Sequence, residues 1–97
     1  DWSAQFDANA LIVLRKAAVL FNAWDNAANI KAPLLYVLSN TDKRFPAGEL
    51  AEPTMTHLKA SGVDAAYVEI DSPYGHLAPT EDWQKWAPAL KNFLEGR

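Results

Sequence analysis

The strongest constraint on the fold of this chain is the short apolar run at residues 34–38, Leu-Leu-Tyr-Val-Leu. It follows Pro33 and leads into the polar, turn-rich segment 40–46. A short run without a charged residue is typical of a strand that is buried on both faces of a parallel sheet. Pro33 lies at its start, where a missing N–H costs least. The run therefore predicts an inner strand, which needs neighbouring strands on both sides.

Helical segments are predicted on both sides of this strand. Apolar residues recur at helical spacing over residues 6–24, and the polar stretch 25–29 predicts a loop after that helix. A second helix is predicted over residues 47–60, with a break at Pro53, because a proline inside a helix removes one hydrogen bond. Gly62 is expected to follow this helix in the left-handed conformation.

A second strand is predicted at residues 63–70, which are less apolar than the first strand and therefore closer to a sheet edge. A loop is expected over 71–79, then a final helix with Thr80 as its N-cap and a restart at Ala87 before Pro88. A strand–helix–strand unit with so short a crossover is parallel and right-handed. The expected fold class is therefore α/β.

Two parallel strands do not form a stable sheet by themselves, because each strand needs neighbours and covering helices. The chain supplies only one neighbour for its inner strand, so the rest of the sheet must come from elsewhere. The first residues contain neither an initiator Met nor the pattern of a signal peptide. We therefore interpret the chain as part of a larger protein, with an upstream targeting segment left open and the cytoplasm favoured as its location.

Composition and charge exclude several functions. The net charge of −3 over 97 residues gives no basic surface for nucleic acid or for an anionic membrane. The absence of cysteine excludes disulfides and thiolate metal sites. No apolar run approaches the roughly 20 residues that a membrane span needs. The expected partners therefore include neither nucleic acid nor a membrane, and a homodimer stays open.

Two residues at the predicted carboxyl ends of the strands carry reactive chemistry. Asp42 lies in the loop after the first strand, and His76 lies in the loop after the second. Neighbouring parallel strands lie about 4.8 Å apart, so these side chains are within reach of one another. An aspartate that accepts the N–H of a histidine prepares that histidine to take the proton of a nucleophile. Asp71 is a rival candidate for the acid. Gly75 is expected to allow an unusual backbone angle that orients the ring of His76.

Segments 40–46 (Asn-Thr-Asp-Lys-Arg-Phe-Pro) and 67–76 (Tyr-Val-Glu-Ile-Asp-Ser-Pro-Tyr-Gly-His) resemble the C-terminal signature of the homoserine O-acetyltransferase-like branch of the α/β-hydrolases. In that family an Asp-x-x-Phe-Pro loop and the His of a Glu-Ile-Asp-Ser-x-x-Gly-His segment complete a catalytic triad. Segments 30–33 and 6–10 resemble the start of the family's penultimate strand and the point where its chain leaves the cap domain.

The resemblance implies an α/β-hydrolase fold, of which this chain forms the C-terminal portion with the last two parallel strands and an incomplete sheet. Residues 1–29 then correspond to the end of the cap segment and a helix leading into the core. Residues 30–97 correspond to the C-terminal part of the core. The triad acid is implied to be Asp42 and the triad histidine His76, and no metal or cofactor is implied.

The resemblance also implies a partner, because the chain has no Gly-x-Ser-x-Gly nucleophile elbow. None of its serines, Ser3, Ser39, Ser61 and Ser72, has the flanking glycines. The expected partner is the remainder of the same hydrolase, which carries the nucleophilic serine. The expected substrate is a small acyl ester, and the chain alone is expected to be inactive.

The residues after His76 favour ester hydrolysis over acetyl transfer. The acetyltransferases usually continue with Asp and Phe, whereas this chain has Leu77, Ala78 and Pro79, which resembles esterase-like members of the family. Acetyl-CoA is a co-substrate only under the transferase interpretation. The alternative is a non-catalytic α/β module, either a hydrolase relic or a domain whose sheet edge recruits a partner strand. A Gly-x-Ser-x-Gly motif upstream would distinguish the two.

The other conspicuous residues have structural interpretations. His57 is expected to be a solvated side chain on a helix. The rest are expected to pack in the core (Trp83 and Trp86), to lie on an exposed loop (Lys43 and Arg44) or to cap the first helix (Asp7 and Asn9).

Overall fold

The computed structural model describes residues 2–96. The order along the chain is a 3₁₀-helix (Trp2–Gln5), α1 (Ala8–Leu20), a 3₁₀-helix (Trp24–Asn29), β1 (Leu34–Ser39), α2 (Ala47–Ala60), β2 (Ala65–Ile70), a 3₁₀-helix (Gly75–Leu77), α3 (Ala78–Glu81), a 3₁₀-helix (Trp83–Lys85) and α4 (Ala87–Glu95).

The two strands form a parallel pair, with α2 as the connection between them. Leu34 lies opposite Ala65 and Ser39 lies opposite Ile70, so the strands begin and end level with one another. The α/β class and the incomplete sheet predicted from the sequence are confirmed. Because the strands end level, the loops that follow them leave the sheet at the same edge.

The core of the unit lies where α2 ends. Gly62 has φ +79°, the left-handed conformation predicted for it. Its N–H donates to the carbonyl of Lys59, and the N–H of Val63 donates to the carbonyl of Leu58, both at 3.0 Å. These two bonds form a Schellman motif, which satisfies carbonyls at the end of a helix. Leu58 and Val63 are buried together with Ala27, so the helix stop and the core coincide.

The predicted break in the second helix is wrong, because α2 continues through Pro53 without interruption. Pro53 cannot donate a hydrogen bond to the carbonyl of Glu49, and an internal proline costs a helix about 3 kcal/mol. The following turns place Leu58 in the core and pack Met55 against it. This packing holds the helix together past the proline, as tertiary contacts commonly override local preference.

The first helix is shorter than predicted, and residues 24–29 form a 3₁₀-helix rather than a loop. The capping prediction is confirmed for Asp7, whose carboxylate accepts the N–H of Asn9 at 2.9 Å, and is wrong for Asn9, which lies inside α1. The helix stops because the side chain of Asn22 competes for the backbone. Its Oδ1 accepts the N–H of Trp24 at 2.9 Å, and its Nδ2 donates to Asp25 at 3.0 Å. Such local bonds offer the chain an alternative to continuing the helix.

The C-terminal region begins its helices earlier than predicted. Residues 75–77 form a 3₁₀-helix inside the predicted loop, and α3 begins at Ala78, so Thr80 lies within a helix and is not an N-cap. Pro79 explains the early start, because a proline is favourable in the first turn of a helix. The predicted restart is confirmed, since α4 begins at Ala87 with Pro88 in its first turn.

The surface of α1 is unusually apolar for an exposed helix. Its large apolar side chains are between 49% and 82% exposed, and they are Leu11, Ile12, Val13, Leu14, Val19 and Leu20. None of the α1 residues is buried by another part of the described structure. Within residues 2–96, no helix combines the length and the hydropathy required to cross a membrane.

Candidate active site at the ends of the strands

The candidate site is built on the two loops that follow β1 and β2. Beyond the last paired residues, the N–H of Asn40 donates to the carbonyl of Ile70 at 3.0 Å and extends the ladder by one bond. The chain then turns, and the N–H of Asp42 donates to the carbonyl of Ser39 at 3.2 Å. The loop therefore places Asp42 beside the end of β2.

Asp42 is a buried carboxylate whose oxygens both have partners. It is 8% exposed. Its Oδ1 accepts the backbone N–H of Arg44 at 2.7 Å and that of Phe45 at 3.1 Å. These local bonds form the turn that an aspartate favours and fix the orientation of the carboxylate. The remaining oxygen, Oδ2, is directed to the second loop.

His76 meets this oxygen, with its Nδ1 2.9 Å from Oδ2 of Asp42. An ionised carboxylate only accepts hydrogen bonds, so Nδ1 carries a proton, and in the neutral imidazole Nε2 then holds the lone pair. The His76 side chain is 52% exposed, and Nε2 has no hydrogen-bond partner among residues 2–96. The ring of Phe45 lies beside the imidazole, with centroids 5.5 Å apart. The histidine is thus held at one nitrogen and open at the other.

Hydrogen bonding decides the charge of Asp42. Its burial raises the pKa, but the hydrogen bond from His76 and the backbone N–H groups of Phe45 and Arg44 lower it. The lowering effects prevail, and the pKa lies below the ordinary value. Three donors favour the ionised form, as expected for a carboxylate that accepts several hydrogen bonds. Asp42 is therefore negatively charged at neutral pH and able to stabilise a protonated His76.

Thr41 and Asn40 join the two loops, and the sequence pattern did not predict this role. The Thr41 hydroxyl donates to the carbonyl of Ser72 and accepts the N–H of Gly75 at 3.0 Å. The Asn40 side chain accepts the N–H of Ser72 at 3.0 Å. Gly75 has φ +55°, and a Cβ at this position would lie 3.4 Å from the carbonyl oxygen of Thr41. The only signal was the Asn-Thr pair before Asp42, which is equally typical of an ordinary turn.

The rival acid, Asp71, has other partners. Its Oδ1 accepts from Nδ2 of Asn40 at 2.7 Å, and its backbone carbonyl accepts from Nζ of Lys85 at 2.6 Å. Lys85 also lies 3.1 Å from Oδ2 of Asp82. These contacts tie the second loop to the segment that follows α3. Of the two aspartates considered from the sequence, the structure brings Asp42 to His76.

Curated relatives match this chain along most of its length. It is 35% identical over 98 residues to a homoserine O-acetyltransferase from Carboxydothermus hydrogenoformans, with 94% of this chain and 26% of that protein covered. A homoserine O-acetyltransferase from Pelobacter propionicus is 30% identical, with 95% and 26% covered. A serine O-succinyltransferase from Xanthomonas oryzae pv. oryzae is 37% identical over 65 residues, which are 67% of this chain and 16% of that protein.

The chain corresponds to the C-terminal quarter of homoserine O-acetyltransferase-like proteins. The resemblance stated from the two signature segments is thereby confirmed. The chain spans about a quarter of the length of the homoserine O-acetyltransferases it matches, and the relatives that carry these names are acyltransferases. No family model and no solved structure matches the chain.

In this homoserine O-acetyltransferase-like chain, the remaining conspicuous residues lie outside the pair of loops or on their surface. His57 is not a freely solvated side chain, because its ring stacks on Trp24 with centroids 3.9 Å apart and its Nε2 lies 2.8 Å from the Trp24 carbonyl. The expected core position is wrong for Trp83, whose exposed fraction is 55%. Trp86 is half-buried. Lys43 and Arg44 are exposed, as expected for a loop pair. Among residues 2–96, no group of three or more His, Asp or Glu side chains is placed to hold a metal ion.

Proposed function

We propose that this chain supplies the acid, Asp42, and the general base, His76, of a serine-type acyl-transfer enzyme with the α/β-hydrolase fold. The nucleophilic serine belongs to a part of the protein outside these 97 residues. The proposal rests on one observation, the 2.9 Å contact from Nδ1 of His76 to a buried carboxylate oxygen of Asp42. The acyltransferase names of the relatives support the same class of reaction.

The geometry supports a defined proton path. Nε2 of His76 takes the proton of the serine hydroxyl as the serine oxygen attacks the acyl carbonyl. The imidazolium that forms is stabilised by the ionised Asp42 at Nδ1. Nε2 then returns the proton to the leaving alcohol or thiol, and an acyl-enzyme remains. In the second half of the reaction, Nε2 removes a proton from the acceptor as the acceptor oxygen attacks the acyl-enzyme carbonyl. Nε2 then donates that proton to the serine oxygen as the serine ester bond breaks, which releases the acyl product and regenerates the serine.

We propose water as the main acceptor, so that the complete enzyme is an ester hydrolase. Leu77 follows His76 in the same 3₁₀ turn and is 61% exposed. An amino-acid acceptor carries an ammonium and a carboxylate, and each needs a charged or polar partner when it leaves water. Leu77 offers neither. Transfer to a hydroxyl amino acid is the second candidate, and the names of the relatives favour it.

A serine-directed fluorophosphonate tests the proposal in the full-length protein that contains this chain. Such a probe reacts with a serine only when a nearby base activates the hydroxyl. The parental protein should be labelled at one serine outside residues 1–97, and His76→Ala should be labelled far more slowly. Labelling of a serine within the 97 residues, or equal rates in the two proteins, would contradict the assignment.

A further inference from the structure

The hydroxyl of Thr41 connects both sides of the candidate site. Thr41 is the residue before Asp42, and its hydroxyl accepts the N–H of Gly75, the residue before His76. The same hydroxyl donates its single proton to the carbonyl of Ser72. A hydroxyl has one donor and two acceptor positions, so this pair of bonds fixes the direction of its O–H. One oxygen atom, on the residue before Asp42, is thus bonded to two backbone groups of the loop that carries His76.

We propose that Thr41 is a positioning residue, whose hydroxyl holds the backbone before His76 so that Nδ1 faces Asp42. This inference rests on the function proposed above. It adds a residue whose proposed role is exerted through His76.

The contacts of Asn40 distinguish positioning from simple loop attachment. Asn40 binds the second loop at Asp71 and Ser72, near the end of β2. Those bonds hold the two loops together where they leave the sheet, four residues or more before His76. Among the first-loop side chains that the structure describes, the Thr41 hydroxyl is the group bonded to Gly75, the residue before the histidine. Its removal should therefore leave the loops attached and release the imidazole.

Gly75 makes this attachment sensitive. With φ +55° its backbone occupies the left-handed region. A Cβ at this position would lie 3.4 Å from the carbonyl oxygen of Thr41. Glycine has a wide range of accessible backbone angles, so loss of the Thr41 bond leaves its φ and ψ less restricted. A small rotation at Gly75 swings the attached His76. A displacement of about 1 Å in a catalytic group can cost roughly a hundredfold in rate.

The test compares Thr41→Val, which keeps the shape and loses the hydroxyl, with Thr41→Ser, which keeps the hydroxyl. Thr41→Ala is a second hydroxyl-free variant in case valine does not fold, and Thr56→Val on the exposed side of α2 is the matched control. All are made in the full-length protein. Hydrolysis of p-nitrophenyl acetate gives kcat and KM. The ¹⁵N shifts of labelled His76, assigned by their absence in His76→Gln, report which ring nitrogen carries the proton.

We expect Thr41→Val to lower kcat by about 10- to 100-fold with KM within about twofold, and to convert the Nδ1–H tautomer into a mixture. Thr41→Ser and Thr56→Val should keep the parental tautomer and most of kcat. Parental behaviour of Thr41→Val, equal impairment of Thr41→Ser, or a kcat loss without a tautomer change would each overturn the inference. If the parental protein hydrolyses no ester, the proposal of water as acceptor fails, and the tautomer comparison alone decides the role of Thr41.

Discussion

Nδ2 of Asn40 donates to Oδ1 of Asp71 across 2.7 Å. The aspartate nearest to His76 in the sequence is therefore bonded to the loop that follows β1. The carboxylate that reaches the histidine is Asp42, whose Oδ2 is 2.9 Å from Nδ1. The two aspartates therefore have separate partners, and mutation of each should have a separate effect.

Asp42→Asn should severely reduce kcat in the full-length enzyme, by a factor of about 10³ or more, whereas Asp71→Asn should stay within about tenfold of the parent. An amide at position 42 cannot stabilise an imidazolium and favours the wrong tautomer of His76. Ester hydrolysis by both variants, with melting temperatures recorded beside the rates, measures the difference. A crippled Asp71→Asn with a nearly normal Asp42→Asn would reverse the assignment of the acid.

His76→Ala should remove a factor of about 10³ or more from kcat, because the serine hydroxyl then has no local proton acceptor. Residues that act as one unit are not additive, so His76→Ala combined with Asp42→Asn should be little slower than His76→Ala alone. A double mutant cycle on kcat measures this coupling. Independent, multiplying losses would mean that the two residues do not act together.

Gly75→Ala should slow the enzyme about tenfold or more, because alanine resists φ +55° and the loop must either carry strain or move His76. Gly75→Asn should be milder, since asparagine tolerates the left-handed region best among the larger residues. Gly48→Ala is the matched control, because a Cβ there meets no atom within 4 Å and alanine suits α2. Equal kcat values for Gly75→Ala and the parent would show that the backbone conformation is unimportant.

The 97 residues expressed alone should aggregate, oligomerise or bind a hydrophobic dye, and should hydrolyse no ester. The two-stranded sheet has unpaired edges, and the apolar side chains of α1 are exposed, with Leu20 at 82%. Size-exclusion chromatography and dye fluorescence measure this. Replacing Val13 and Leu20 with glutamine should lower dye binding. A monomer that melts cooperatively without dye binding would contradict the expectation.

The full-length enzyme should hydrolyse activated short-chain esters and transfer little acetyl from acetyl-CoA to homoserine. Leu77 gives a charged acceptor no partner beside His76. The measurement compares thiol release from acetyl-CoA with and without millimolar homoserine, alongside p-nitrophenyl acetate hydrolysis. Leu77→Asp, which restores the residue type usual in the acetyltransferases, should raise the ratio of transfer to hydrolysis. Transfer that already exceeds hydrolysis in the parent would establish the transferase instead.

The sequence predicted those features that depend on local pattern. The bounds of α2, the left-handed Gly62 and both strands follow from periodicity and turn chemistry, and the structure reproduces them within two residues. The meeting of Asp42 and His76 was within reach because parallel strands that end level bring their loops to one edge.

The features that escaped prediction depend on contacts between distant residues. Pro53 remains inside a helix because later turns of α2 pack in the core, a gain that no local rule contains. The link from Thr41 to Gly75 spans 34 positions, so no spacing in the sequence signals it. His57 found a stacking partner in Trp24, 33 positions away, for the same reason. The assignment of catalytic roles to Asp42 and His76 stays a prediction.

Because β1 and β2 end level, Asp42 and His76 lie on one structural unit of the proposed enzyme. The orientation of His76 and its distance from the nucleophile are therefore set by different contacts. Aiming the imidazole depends on bonds inside this one strand–helix–strand unit, from Asp42, Thr41 and Gly75. The distance from Nε2 to an outside serine depends on how the unit as a whole rests against the remainder of the protein. A shift at that outer boundary moves acid and base together and preserves the tautomer. Substitutions on the outer surface should therefore alter the distance from Nε2 to the nucleophile, whereas substitutions in the loops should alter the orientation and tautomer of the imidazole. Histidine NMR distinguishes the two, because only the second kind changes the tautomer.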